Sequence, residues 1–526
     1  MKTLAINSTL AKYTGPWDKS AAIHLLRRCL FGVSQSELAE SVAGGMDYSI
    51  ERLFQPRDLQ QLPQVYANND VLPIGSVWVG QPFDQQSNGG RIRSFQAWWV
   101  QQLLQNTFSI HEKMILFWHN HFVIESAVVR DPRALFDYYQ ILNENALGNF
   151  KELAKLITIS PGMLRYLDGQ TNVNTSPNEN YARELFELFT IGKGPQIGEG
   201  NYTNYTEQDV FSAARVLTGW RYNNADLSVS FRPNLHDPNE KVFSSAFDNH
   251  VISNGGDQEY IELIDMIFAK EETAKHLARK LYRWFVYYQI DETVEMNIIK
   301  PLADKIIQDN YDVIGALKML LQSEHFYDEE LRGSMVKSPA DFSFGLFRTS
   351  MDQLTDNLSV QARYAHFLYY LNVNVLLQME IASPPQVAGW QAYYQEPAYY
   401  RHWANSVTIP LRKQLTDQIA SEGGILRGGF RSRLKVIELV ENCSIPDDVR
   451  ELVRELSIQF LPKAPSQLQE DYLVQALIPG LPEYEWGNQW RILQFDPSNT
   501  NLRMAIENKL YVFFRALFSL PEFQLG

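Results

Sequence analysis

A chain of 526 residues exceeds the roughly 250–300 residues at which a single core stops growing, so several packed subregions are expected. Its 45% hydrophobic and 21% charged residues are ordinary globular usage and exclude a disordered chain. The net charge of −14, from 47 basic and 61 acidic residues without a Lys/Arg stripe, speaks against nucleic acid as a partner, because a negative surface repels phosphate backbones.

No segment approaches the roughly 18 uninterrupted apolar residues of a membrane span, and the N-terminus lacks a signal-peptide core. Cytoplasmic residence is the default expectation. Cys29 and Cys443 cannot build a disulfide framework and read as free thiols in a reducing compartment.

Apolar residues recur with helical spacing along most of the chain. Residues 18–54 read as three short helical stretches divided at Gly32 and Gly44-Gly45. An irregular excursion follows over 56–91. Helical pattern resumes from 92 to about 191, and a second irregular stretch, 222–257, holds His236 and His250. Helices return over 259–371, an aromatic, Pro-containing loop occupies 383–404, and 408–526 reads as helical with an interruption near 478–496. The fold class is all-α, a large multi-helical globular body with long irregular loops and little or no β. Residues 1–404 are expected to form the core, with 405–526 a C-terminal helical region packed on it.

Two helix starts look well specified. Ser109 to Glu112 and Ser176 to Glu179 both have the spacing of a capping box, the second with Pro177 at the first helical position. Gly192 suits the position after that second helix ends. Asp209, three residues after Thr206, reads as the acid of a third such motif.

In the helix from Ser109, His121 falls amid the apolar side and His119 about 160° away, so a continuous helix cannot present both to one metal. They converge only if the helix stops at Asn120 or if each meets different partners. The alternatives are hydrogen-bonded core histidines or ligands of a divalent metal. On the helix from Pro177 to Ile191, Glu179, Asn180, Arg183, Glu184 and Glu187 share one face. Either Arg183 stitches that face through i,i+4 pairs with Glu179 and Glu187, or the face lines a cleft where a glutamate acts as acid–base group. Between Asp168 and Glu179 the oxygen-bearing residues follow a calcium-loop spacing, but Val173 and Pro177 depart from it, so a hydrogen-bonded polar loop is expected. His236, Asp237 and Lys241 form an acid–base set in the second irregular stretch. Trp390, Tyr393, Tyr394, Tyr399, Tyr400 and Trp403 make either a stacking platform for a carbohydrate or peptide ligand or packing between loops. No nucleophile elbow, phosphate-binding loop, dinucleotide fingerprint or Cys-x-x-Cys occurs.

Several runs together resemble the bacterial family catalogued as domain of unknown function 1800. They are His24-Leu25-Leu26-Arg27-Arg28, Phe117-Trp118-His119-Asn120-His121-Phe122, Asn178 through Phe189, Leu217-Thr218-Gly219-Trp220, His236-Asp237 with Lys241, and Pro384 through Trp390. The resemblance spans nearly the whole chain. It implies a large, mainly helical protein and no established reaction. The polar character of these runs favours a shared pocket over simple packing.

The resulting expectation is an enzyme performing metal-assisted or acid–base hydrolysis of a polar substrate. Glu184, Glu187, His236 and Lys241 are its catalytic candidates, His119 and His121 its metal ligands, and Asn120, Arg183, Asp237, Trp220 and Trp390 its binding residues. The alternative is a non-catalytic scaffold or binding protein, with a protein or small-molecule partner, in which the same runs form a buried structural network.

Overall fold

Apolar periodicity and capping chemistry fold the chain into helices joined by ordered loops. The computed structural model describes residues 8–57, 59, 61–105, 107–351 and 357–526. Helix covers 56% and strand 7%, the latter in two-stranded antiparallel hairpins, so the protein is all-α. No helix among the described residues is long and apolar enough to cross a membrane.

The first helix, Lys19–Cys29, starts where the Asp18 carboxylate accepts the Ala21 N–H, buries Ile23, Leu25 and Leu26, and ends on Arg27 and Arg28. The second, Gln35–Leu53, opens with a Ser34/Glu37 capping box and is broken at Gly45, φ +84°, as the paired glycines suggest. Helix Asn88–Leu104 packs against Pro132–Asn145 and Val360–Leu376, enclosing Trp98 and Trp99. The buried hydrophobic residues from Ala21 to Phe523 form one cluster, which the C-terminal helices share. Helix Val449–Phe460 lies beside Lys19–Cys29, and Arg27 donates to the carbonyls of Ile458, Gln459 and Leu461 at its C-terminal end, where the helix dipole favours a cation.

Several expectations need correction. Helix His111–His121 is preceded by Ile110, and no capping box forms: Ser109 Oγ accepts the His111 N–H, while Glu112 turns inward to Arg57 and Tyr139. The Ser176 capping box is also absent. The helix begins at Asn180, Asn178 Oδ1 accepts the Asn180 N–H, and Glu179 bonds Arg183. The Asp209 box does form, with Thr206. Residues 222–257 are ordered by a hairpin, Trp220–Tyr222 with Val229–Phe231, and by paired strands Lys241–Val242 and Val251–Ile252. A further hairpin, Ile425–Arg427 with Phe430–Ser432, turns at Gly428 and Gly429, both at positive φ as a tight two-residue turn requires. Helix Tyr484–Phe495 occupies most of the expected interruption, anchored by buried Trp486 and Trp490. Cys29 is buried, Cys443 half-buried, and both are free.

Candidate functional site

Helix His111–His121 runs through to His121, so the two histidines diverge. His119 is 1% exposed, in a cage of Trp99, Tyr138 and Trp390 with ring centroids 4.9, 5.8 and 5.9 Å away. Neither of its ring nitrogens has a hydrogen-bond partner among the described residues, and burial drives its pKa down to about 3. His121 lies among Phe117, Trp118, Phe122, Phe150 and Phe189, with Nε2 2.8 Å from the Phe189 carbonyl. Burial, then Lys280 and His276, holds it well below the usual histidine range. Asn120 between them accepts the Trp390 N–H at 2.9 Å. Among the described residues, no three His, Cys, Asp or Glu side chains gather as a metal centre would need.

The glutamate-rich helix spans only Asn180–Glu184 and continues as one π-helical turn, Leu185–Phe189. That wider turn separates Glu187 from Arg183. Glu187 accepts instead from Lys193 at 2.8 Å and Tyr205 at 3.3 Å, while Arg183 grips Glu179 and Glu207. Of the two expected i,i+4 pairs, only Glu179–Arg183 forms. Glu184 is half-buried and has no hydrogen bond or ion pair among the described residues; burial and then Glu187 raise its pKa. No hydrogen bond or ion pair among the described residues joins Glu184 or Glu187 to His119, His121, His236 or Lys241.

His236 and Lys241 do meet, on a partner sequence reasoning missed. A 3₁₀ turn, Pro233–Leu235, delivers His236 beside Thr218, whose Oγ1 and carbonyl lie 3.0 Å from Nδ1. Glu259 opens helix Glu259–Phe268 and sits 2.9 Å from His236 Nε2 and 2.5 Å from Lys241 Nζ. It also accepts the N–H groups of Gly255 and Gly256, and Lys241 donates to the Asp237 carbonyl. His236, Lys241 and Glu259 are 3%, 0% and 1% exposed. Burial opposes ionisation of Glu259, yet His236 and Lys241 hold its pKa below the ordinary value. Asp237 is likewise opposed by burial and held at about 2 by Arg215 and Asn239. Glu259 lies 18 residues beyond Lys241 with no motif spacing; its position opening a helix after Gly255-Gly256 is the only local signal.

The Asp168–Glu179 loop turns its polar groups to backbone. Asn172 Oδ1 accepts the Asn178 N–H, Asn172 Nδ2 donates to the Ala214 carbonyl, and Asn174 Nδ2 donates to the His236 carbonyl. Trp220 is buried in ring contact with Phe231 and Tyr260. The signature runs, distant along the chain, are thus the contacts that tie its segments together.

The family model described as protein of unknown function, DUF1800, matches residues 24–525. The chain belongs to this family. No curated protein and no solved structure matches it.

The aromatic loop of this DUF1800 chain turns most of its rings inward, in keeping with packing between loops and not with an exposed platform; Tyr393 and Tyr394 are half-buried. Trp390, Tyr399, Tyr400 and Trp403 are buried. Tyr393, Tyr400 and Trp403 wall a cavity with Arg28, Lys337 and Trp284. Arg27 and Arg28 belong to the first family run, but nothing in their spacing indicates that they border a cavity with residues some three hundred positions away.

Proposed function

We propose that this DUF1800 protein works by binding rather than by hydrolysis, and that its signature polar runs are the frame that holds the binding body in shape. The observation that carries this reading is the closed state of Glu259, whose two oxygens accept from His236, Lys241, Gly255 and Gly256 inside the fold. A proton-transfer group needs a free lone pair facing a substrate, and here both oxygens are buried, Oε1 accepting from His236, Gly255 and Gly256 and Oε2 from Lys241. A completed buried network of this kind resists other packings of the helices.

Removing one partner from a buried ion pair leaves the other charge unmatched, at a cost of about 3–5 kcal/mol. Lys241→Met and Glu259→Gln are each expected to lower stability by that order in urea unfolding. Normal stability in both variants would remove the structural reading. A second reading keeps support from one residue: Glu184, half-buried with a raised pKa and no partner among the described residues, has the properties of an acid–base group. Glu184→Gln is expected to change stability by less than about 0.5 kcal/mol. If it abolishes hydrolysis found in an ester, peptide and glycoside screen of the intact protein, or if purified protein carries stoichiometric zinc, iron or manganese, the binding reading fails.

A further inference from the structure

Positive charge that the frame does not neutralise, buried at Arg28 and Lys113 and half-buried at Arg27 and Lys337, gathers around one cavity. It lies between the end of helix Lys19–Cys29, residues 335–349, the aromatic loop and the C-terminal segments at Phe460 and Phe523. Its volume of about 70 Å³ suits a small molecule or a few waters. Four cationic side chains line it, Arg27, Arg28, Lys113 and Lys337, against one side-chain carboxylate, Asp341, which Lys113 engages and whose charge also reaches Arg28 and Lys337; Gly526 is in the wall as well. The other three have no carboxylate partner among the described residues. Arg27 donates to three backbone carbonyls, Arg28 to Met335 Sδ at 2.7 Å and the Val286 carbonyl at 3.2 Å, and Lys337 to the carbonyls of Phe523 and Phe460. Arg412, bonded to the Lys337 carbonyl, adds a fourth such cation behind the wall. Burial lowers all four: Arg27 and Arg412 to about 10, Lys337 well below the ordinary lysine range, and Arg28 more modestly.

A second observation is independent of charge. Arg28 Nε, Trp284 Nε1, Trp403 Nε1, Gln459 Nε2 and Tyr400 Oη are buried without a hydrogen-bond partner among the described residues, and all five residues line this cavity. The four nitrogens can only donate, and the phenol can donate. Buried donors left unmatched are costly, and an acceptor-rich occupant that these side chains turn towards by small shifts satisfies several at once.

We propose that this cavity is a binding site for a small oxyanion, a carboxylate or a tetrahedral phosphate-like group. Arg28 supplies the charge-assisted contact, and the indole N–H groups of Trp284 and Trp403 with the Tyr400 hydroxyl supply the directional ones. The rings of Phe342, Phe460 and Phe523 make part of the wall apolar, and a polar contact beside such low-dielectric surroundings is strengthened. A cationic ligand meets repulsion from these side chains. The site shares no residue with the His236–Lys241–Glu259 network, so it stands or falls separately from the reading of that network.

The test uses the full chain, exchanged into chloride buffer and titrated at constant ionic strength with phosphate, sulfate, acetate and benzoate. Tryptophan fluorescence and melting temperature report binding, with choline chloride as the cation control. A saturable response to at least one oxyanion, and none to choline, is expected. Preference for phosphate and sulfate assigns a tetrahedral group, and preference for acetate and benzoate a carboxylate. Arg28→Met is expected to weaken binding about tenfold, the loss of a charge-assisted hydrogen bond. Trp403→Phe, which keeps a ring but removes the N–H, is expected to weaken it about threefold. If Arg28→Met does not fold, Trp403→Phe decides. No saturable response to any of the four anions, or a response that the folded variants leave unchanged, overturns the site.

Discussion

Gly389 sits at φ +94°, where a Cβ would lie 2.3 Å from Asn120 Oδ1 and 2.6 Å from the Asn120 carbonyl. Two signature runs that are 270 residues apart meet here, since Trp390 N–H donates to Asn120 Oδ1. Only glycine has both the backbone freedom and the clearance for that approach. Gly389→Ala is therefore expected to destabilise the protein by about 2–3 kcal/mol, from backbone strain and a forced shift of helix His111–His121. Asn120→Ala, which removes one hydrogen bond, is expected to cost about 1 kcal/mol. Urea unfolding of the two variants checks the order; an equal or inverted ranking contradicts the steric account.

At the scale of the element, the π-helical turn Leu185–Phe189 presents its last carbonyls to three basic side chains. His121 bonds the Phe189 carbonyl, while His276 and Lys280 share that of Leu188. Burial, then Arg283, lowers Lys280 to about 7. An unfolded lysine titrates near about 10.4, so between those values the unfolded chain holds the extra proton, and stability contributed by this group rises with pH across the interval. The expected signature is an upward slope in unfolding free energy from pH about 7 to about 10 that flattens in Lys280→Met. The same slope in both proteins would show that Lys280 remains protonated throughout. Helix Glu207–Val216 offers a second test. Asp209, the acid of its capping box with Thr206, is fully buried and accepts from the backbone N–H and hydroxyl of both Thr206 and Ser244. Asp209→Ala should therefore cost at least the ~2 kcal/mol at the upper end for a helix cap.

For the whole molecule, buried neutral histidines set the acid limit. His24, His119 and His121, all buried, and the half-buried His276 are held below the ordinary value chiefly by loss of solvent. Unfolded histidines take up protons near pH about 6.5. Below that pH the unfolded chain binds more protons than the folded one, so stability falls as pH falls, by up to about 1.4 kcal/mol per pH unit for each histidine. The loss begins before the carboxylates titrate. Urea midpoints that stay flat between pH about 7 and about 5 would contradict this burial.

Periodicity determined that the chain is helical, the paired Gly44-Gly45 where the second helix breaks, and the Thr206/Asp209 spacing that a capping box opens the helix there, because these depend on neighbours a few residues away. The same local logic failed at Ser109 and Ser176. Glu112 found Arg57 and Tyr139, and Glu179 found Arg183, each a stronger partner than a backbone N–H. The polar runs were visible as a set, but not whether they faced a substrate or one another. Periodicity states which side of an element is buried, not what it is buried against. Only the tertiary structure brought Glu259 between His236 and Lys241, turned Tyr400 and Trp403 inward, and set Arg28 and Lys337 around one cavity. The free energy of a buried charge depends on distant partners, and those are assigned only when the chain closes on itself.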